Sequence, residues 1–148
     1  MKNVKPVPEG YHNITPYLVV ENALAYISFL KDAFNAQEKM KTLYPDGKVM
    51  HAEVRIGDSN IMLSEANPDF PPTQVIIHFY TENVDDVYQK SLKAGGVSTM
   101  EPALQFYGDR SAGVKDPFGN TWWISTHVED VSPEEMQRRQ ENFVNQEQ

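Results

Sequence analysis

The sequence predicts an α+β fold in which a β-α-β-β-β unit occurs twice and is followed by a C-terminal helix. The order of strand-like and helix-like segments in the first half of the chain recurs in the second half. Val20-Glu21-Asn22 and Thr81-Glu82-Asn83 stand at matching points, each directly before a helical pattern. Near the end, Asp116-Pro117-Phe118-Gly119 has the composition of a tight turn and joins two β-prone runs.

The boundaries of the two modules follow from composition. Module one is expected at about residues 12–66 and module two at about residues 74–128, joined by a linker at 67–73 that contains three prolines. A C-terminal helix is expected at about residues 132–146. With 148 residues, 40% of them hydrophobic and 23% charged, the chain is typical of a single globular domain.

Module one combines an amphipathic helix with four strands. Asn22 can cap the helix through its side-chain oxygen. Apolar residues then recur at steps of three and four, which predicts one buried face. These residues are Leu24, Ile27, Leu30 and Phe34. The predicted strands are Ile14–Val20, Gln37–Tyr44, Val49–Ile56 and Asn60–Ser64.

The strand Val49–Ile56 has the clearest alternation of apolar and polar residues. Because successive side chains of a strand point to opposite faces, the alternation separates two sets of residues. The apolar face is predicted to hold Met50, Ala52, Val54 and Ile56. The opposite face is predicted to hold Val49, His51, Glu53 and Arg55.

Module two repeats the order of module one. Its helix is predicted to begin after Asn83 and to end at Gly95-Gly96. The C-terminal helix has a clear start, because Ser132 can cap it, Pro133 suits the first helical position and Glu135 closes a capping box. The predicted strands of module two are Gln74–Thr81, Val97–Leu104, Arg110–Lys115 and Asn120–Thr126.

Charge and composition exclude several classes of partner. The net charge of -8 argues against nucleic acid, because binding phosphates requires a basic surface. With no cysteine, the chain has no disulfide framework and no thiolate metal ligand or nucleophile. No apolar run approaches the roughly 20 residues that span a bilayer, so no membrane partner is expected. We expect a cytoplasmic protein.

Several segments together resemble the glyoxalase, bleomycin-resistance and extradiol-dioxygenase superfamily (the vicinal oxygen chelate fold), and within it the PhnB-like branch. They are Ile14–Val20, Met50–Glu53, Gly57–Ser59, Gly108–Arg110, Asp116–Gly119 and His127–Glu135. The resemblance implies paired modules whose curved, mixed sheets enclose a cavity for a small organic ligand, commonly within a homodimer. It also implies that His51, Glu53 and Arg55 face that cavity or its rim.

The resemblance raises the question of a divalent metal ion. Metal-dependent members place His, Gln or Glu ligands on the first and fourth strands of each module. The aligned positions here hold Thr15, Met62, Ile76 and Trp123. None of these is an ordinary ligand for such an ion, so we expect no metal and no other cofactor. A displaced site formed by His51, Glu53 and His78 is the alternative.

The remaining candidate residues concern catalysis and ligand binding. His51 and Glu53 are candidates for a catalytic acid–base pair, because a carboxylate orients an imidazole and raises its basicity. Aromatic and polar residues of the predicted cavity face are candidates for ligand binding. The ligand-binding candidates are Tyr17, Met62, His78, Tyr80, Tyr107, Arg110 and Trp123.

Two of these assignments have structural alternatives. Arg110 either anchors an anionic ligand or forms a structural ion pair. The aromatic residues either line a cavity or fill a core.

The favoured function is a small-molecule-binding protein of glyoxalase/bleomycin-resistance type without the usual metal site. The alternative is a lyase/isomerase or dioxygenase-like enzyme that uses a displaced metal or the pair His51 and Glu53.

Overall fold

The computed structural model describes residues 3–148, and two compact units divide the chain between Gln74 and Val75. Each unit has the element order β-α-β-β-β, and a further helix follows the second unit's last strand. Each unit contains one four-stranded mixed sheet. The predicted α+β class and the predicted repeat are therefore confirmed.

In the first unit, one edge strand runs parallel to its neighbour and the other pairs are antiparallel. The elements are β1 (Tyr17–Val20), α1 (Ala23–Phe34), β2 (Gln37–Leu43), β3 (Val49–Ile56) and β4 (Ser59–Glu65). The strand order is β1-β4-β3-β2. β1 is shorter than predicted, because Pro16 has no N–H for the ladder and Ile14 is exposed.

Helix α1 begins at the predicted cap. The Asn22 side chain accepts a hydrogen bond from the N–H of Ala25, and a carboxylate oxygen of Glu65 accepts one from Ala23 at 3.0 Å. Ile27, Leu30 and Phe34 are buried as predicted, but Leu24 is exposed. The buried face instead starts at Ala23 and continues through Tyr26, so the prediction for Leu24 was wrong by one position. The buried residues of α1 are Ala23, Tyr26, Ile27, Phe29, Leu30, Ala33 and Phe34.

A bulge alters the predicted alternation at the start of β3. Val49 is 1% exposed and Met50 is 44% exposed, which is the reverse of the prediction. The pairing of β2 with β3 shifts between Thr42 and Leu43, and such a shift reverses which face the following side chain takes. Beyond the bulge the alternation is as predicted, with Ala52, Val54 and Ile56 buried.

The second unit repeats the arrangement of the first. Its elements are β5 (Ile76–Tyr80), α2 (Val84–Lys93), β6 (Val97–Leu104), β7 (Asp109–Lys115), β8 (Thr121–His127) and α3 (Pro133–Gln146). The strand order is β5-β8-β7-β6, with β5 parallel to β8. Asn83 caps α2 by accepting from the N–H of Asp86, and Ser132 caps α3 by accepting from that of Glu135, both as predicted. No helix in residues 3–148 has the length and hydropathy needed to cross a membrane.

The turn between β7 and β8 is fixed by a buried carboxylate. Asp116 accepts hydrogen bonds from the backbone N–H groups of Phe118 and Asn120 at 2.9 and 3.0 Å. Its other oxygen accepts from the indole N–H of Trp122 at 3.0 Å. The carboxylate thus joins the turn to the core, and Gly119 completes the turn at a positive φ of 91°.

Candidate ligand site

The strand registers place two pairs of residues at equivalent positions in the two sheets. In the first unit Tyr17 of β1 lies opposite Met62 of β4, and in the second His78 of β5 lies opposite Trp123 of β8. On their other sides, Met62 faces Glu53 of β3 and Trp123 faces Gly113 of β7. The two sheets therefore present the same positions with different chemistry.

The second unit has a pocket of about 290 Å³ at these positions. Three lining residues were predicted as ligand contacts from the sequence: His78, Tyr107 and Trp123. The other three, Met100, Gln105 and Ser111, were not. Ser111 could have been found from strand alternation, because it lies two residues before Gly113 and so shares its face.

Gly113 makes room for the tryptophan that forms one wall of the pocket. A Cβ atom at Gly113 would lie 2.7 Å from Cζ3 of Trp123 and 2.4 Å from Oγ1 of Thr99. The indole therefore packs directly on the backbone of β7. Only glycine permits this close approach without a shift of the ring.

A hydrogen-bonded chain lies beside this pocket. The ring of His78 is 4.8 Å from that of Tyr80, and the Tyr80 hydroxyl donates to Oδ2 of Asp109 at 3.0 Å. Asp109 is buried, and its Oδ1 lies 2.7 Å from Nδ1 of His127. Nε2 of His127 lies 2.7 Å from Asp130. His127 therefore links the buried Asp109 to the segment that follows β8.

These contacts alter the acidity of two groups. The hydrogen bond to Asp109 is the largest cause that raises the pKa of Tyr80. The pKa of His127 is also raised, first by Asp109 and then by Asp130. Since both ring nitrogens of His127 face carboxylates, the geometry suits the imidazolium, in which both nitrogens donate. Tyr80 is thereby held at its hydroxyl while its ring stays exposed.

Arg110, a predicted ligand contact, does not line the pocket. Its guanidinium donates to both carboxylate oxygens of Asp85, from Nε at 2.9 Å and from Nη2 at 2.8 Å. The hydrogen bond from Arg110 lowers the pKa of Asp85. Arg110 precedes Ser111, and adjacent side chains of a strand take opposite faces, so the guanidinium lies on the helix side of the sheet. Arg110 therefore forms a structural ion pair, which was one of the two roles that the sequence left open for it.

The corresponding face of the first unit holds ionisable side chains. Nε2 of His51 lies 3.9 Å from Oε1 of Glu53, which is beyond hydrogen-bonding distance. The Tyr17 hydroxyl lies 3.4 Å from Nδ1 of His51. Tyr11 was missed from the sequence, yet its hydroxyl donates to Oε1 of Glu53 at 2.5 Å. Burial and then this hydrogen bond raise the pKa of Tyr11 to about 12.

The residues that the resemblance aligned with metal-ligand positions do not fit a divalent ion. Met62 and Trp123 occupy equivalent places on β4 and β8, Ile76 begins β5, and Thr15 precedes β1. Thioether, indole and alkyl groups are not donors for nickel, zinc or iron in such sites. Within residues 3–148, no group of three or more His, Asp or Glu side chains is placed to hold a metal ion.

Comparison with known proteins agrees with this fold. Residues 11–124 match the Glyoxalase/Bleomycin resistance protein/Dioxygenase superfamily. An uncharacterised protein of Mycobacterium bovis is 34% identical in an alignment that covers 91% of this chain and 92% of that protein.

Two solved structures share the architecture at low sequence identity. TioX from Micromonospora has a TM-score of 0.69 at 17% identity, over 79% of this chain and 99% of its own. The PhnB protein of Bacillus cereus has a TM-score of 0.65 at 20% identity, over 78% of this chain and 99% of its own. At these identities the likeness concerns the fold alone. The family match confirms the predicted resemblance, and the chain belongs to the Glyoxalase/Bleomycin resistance protein/Dioxygenase superfamily.

Proposed function

We propose that the protein binds a small, flat, uncharged organic molecule in the pocket of its second unit, without a divalent metal ion. The main support is the wall formed by Trp123, which Gly113 allows to pack directly on the backbone of β7. Tyr107 and His78 add two further rings, and aromatic walls favour planar ligands. A volume of about 290 Å³ is at the small end of ligand pockets.

The polar groups of the pocket favour a neutral ligand. None of its six lining residues is Asp, Glu, Lys or Arg. Gln105 offers an amide whose Nε2 also donates to the carbonyl oxygen of Ala103 at 3.3 Å, while the hydroxyl of Ser111 shares a hydrogen bond of 2.7 Å with Ser125. An amide can orient a ligand carbonyl or hydroxyl without the cost of removing a charge from water.

The alternative of an acid–base enzyme receives less support. Oε1 of Glu53, the oxygen nearest His51, already accepts a hydrogen bond from Tyr11. A catalytic pair requires direct contact between the two groups or a connecting water. The pair His51 and Glu53 therefore stays a prediction, and its test is whether His51→Gln abolishes any turnover found for the protein.

We also propose a homodimer. Two of the four edge strands, β1 and β5, carry large exposed side chains with apolar surface, namely Tyr17 on β1 and Ile76 and Tyr80 on β5. Exposed apolar residues on a sheet edge are typical of an interaction surface. Light scattering should give twice the chain mass of 16.9 kDa, and Ile76→Lys should shift it to the monomer. A monomeric wild-type protein at micromolar concentration would contradict the dimer.

The binding proposal can be tested with 2-naphthol, a neutral bicyclic probe. The chain has two tryptophans, so its ¹H–¹⁵N spectrum contains two indole signals. Trp122 is buried and bonded to Asp116, which makes its signal an internal control. We expect 2-naphthol to shift the Trp123 signal, to leave Trp122 nearly unchanged, and to do so equally after treatment with EDTA.

Two variants sharpen this test. Tyr107→Ala should weaken the binding of 2-naphthol, whereas Tyr44→Ala, which removes an exposed tyrosine of the first unit, should not. Failure of 2-naphthol to shift Trp123, or a shift that requires an added divalent metal ion, would contradict the proposal.

A further inference from the structure

The turn between β6 and β7, residues 105–108, supplies two side chains to the pocket, those of Gln105 and Tyr107. The ends of this turn are closed by backbone hydrogen bonds. The N–H of Gln105 donates to the carbonyl of Asp109 at 2.7 Å, and that of Gly108 donates to Gln105 at 3.2 Å. The position of the turn as a whole must be set by what it packs against.

Helix α3 contacts the middle of this turn through an arginine. Nη1 of Arg139 donates to the carbonyl oxygen of Phe106 at 3.1 Å. The same guanidinium donates to both carboxylate oxygens of Glu129, at 3.0 and 2.7 Å, and its Nε donates to Glu135 at 2.9 Å. A planar guanidinium with three partners is held in one orientation.

An aromatic contact adds to the polar one. The ring of Phe143 on α3 lies 5.0 Å from that of Phe106, which in turn meets Tyr107 edge to face at 5.3 Å. Such pairs stabilise by about 0.5–1.5 kcal/mol beyond their buried area. The row of rings therefore connects α3 to a pocket wall.

The segment after β8 supports the turn from another side. The backbone N–H groups of Val128 and Glu129 both donate to the carbonyl oxygen of Gly108, at 2.9 and 3.0 Å. A Cβ atom at Gly108 would lie only 2.3 Å from the carbonyl oxygen of Glu129. Since Glu129 also accepts from Arg139, the turn, this segment and α3 form a closed set of contacts.

From these contacts we infer that Arg139 is a positioning residue for the ligand pocket, although it does not line it. It fixes the turn at residues 105–108, and through that turn it sets where Tyr107 meets the ligand. This inference rests on the proposed function of the pocket. It assigns the C-terminal helix a part in ligand affinity in addition to its part in stability.

The test is a double-mutant cycle with 2-naphthol as the probe. Arg139→Gln should weaken binding by about fivefold, and Arg139→Lys should be similarly weak because it lacks the planar fork. In a Tyr107→Ala background, Arg139→Gln should change the affinity by less than about twofold. If each substitution lowers the affinity for 2-naphthol by the same factor whether or not the other is present, the inference is overturned, because Arg139 would then not act through Tyr107.

Arg138 provides a matched control on the same helix. Its guanidinium also pairs with Glu135, but its side chain is 63% exposed against 27% for Arg139. Arg138→Gln should leave the affinity for 2-naphthol unchanged. An equal loss of affinity in Arg138→Gln and Arg139→Gln would assign the effect to general helix stability and overturn the inference.

A measurement without ligand separates this inference from the proposed function. Amide hydrogen exchange at Gln105 and Gly108 should be faster in Arg139→Gln than in the wild type or Arg138→Gln. Unchanged exchange would overturn the positioning role whether or not 2-naphthol binds. A wild-type protein that fails to bind 2-naphthol overturns the proposed function, and with it the role in affinity.

Discussion

Replacing Gly113 with alanine tests whether the Trp123 wall depends on the missing side chain. The added Cβ would lie 2.7 Å from Cζ3 and 3.1 Å from Cε3 of Trp123. Ordinary carbon–carbon contacts lie at roughly 3.5–4.0 Å, so the indole must retreat by about 1 Å or β7 must shift. Thr99, the other close neighbour, is exposed and can rotate away.

Two opposing effects set the size of the change. Overpacking costs about 1–3 kcal/mol, while replacing a strand glycine with alanine gains about 0.5–1 kcal/mol from chain entropy. The steric term is larger, so we expect a net loss of about 0.5–2 kcal/mol in the free energy of unfolding. For a chain of this size that corresponds to a fall in Tm of roughly 1–8 °C.

Thermal unfolding followed by circular dichroism measures this change. The ¹H–¹⁵N spectrum of the variant should show a displaced Trp123 indole signal and an unchanged Trp122 signal. The variant should also bind 2-naphthol more weakly. Adding Trp123→Leu to Gly113→Ala should recover part of the stability lost by Gly113→Ala, because the smaller side chain relieves the contact. An unchanged or higher Tm for Gly113→Ala would refute the reasoning.

Two further predictions concern ionisable groups. His127 should titrate above its usual value, because Asp109 and then Asp130 raise its pKa. Its stabilising contribution should be complete at pH values below the ordinary pKa and be lost as the pH rises through the raised one. Asp130→Asn should lower the His127 pKa, as measured by NMR titration, and no change would contradict the assigned contact. Tyr11→Phe should cost about 1–3 kcal/mol in denaturant unfolding, because Glu53 loses a donor. A change below about 0.5 kcal/mol would show that the Tyr11 hydroxyl is not needed.

Much of the fold follows from local patterns that the sequence displays directly. Asn83 and Ser132 stand at helix starts with suitable residues three positions later, and both caps form as predicted. The limits of β3 and β6 were also predicted correctly. What the alternation could not reveal is the bulge at Met50, because a bulge depends on how β2 pairs with β3 and not on either strand alone.

The site was harder to predict because it depends on contacts between distant residues. Trp123 and His78 were identified because they are an aromatic and a polar residue on the predicted cavity face. Tyr11 lies in an irregular segment before the first strand, so no periodicity connects it to Glu53. The sequence left two roles open for Arg110, ligand anchor or structural ion pair. It does not show that Asp85 lies within hydrogen-bonding distance of the guanidinium.

The pairing of Gly113 with Trp123 also has a consequence for how far the two units are interchangeable. The first unit fills the equivalent pair with Glu53 and Met62, two side chains of intermediate size. In the present geometry, a tryptophan at 123 cannot coexist with any β-carbon at 113. The aromatic wall therefore depends on two positions of neighbouring strands at once, and a tryptophan placed at Met62 of the first unit would meet the Glu53 side chain where Trp123 meets only backbone.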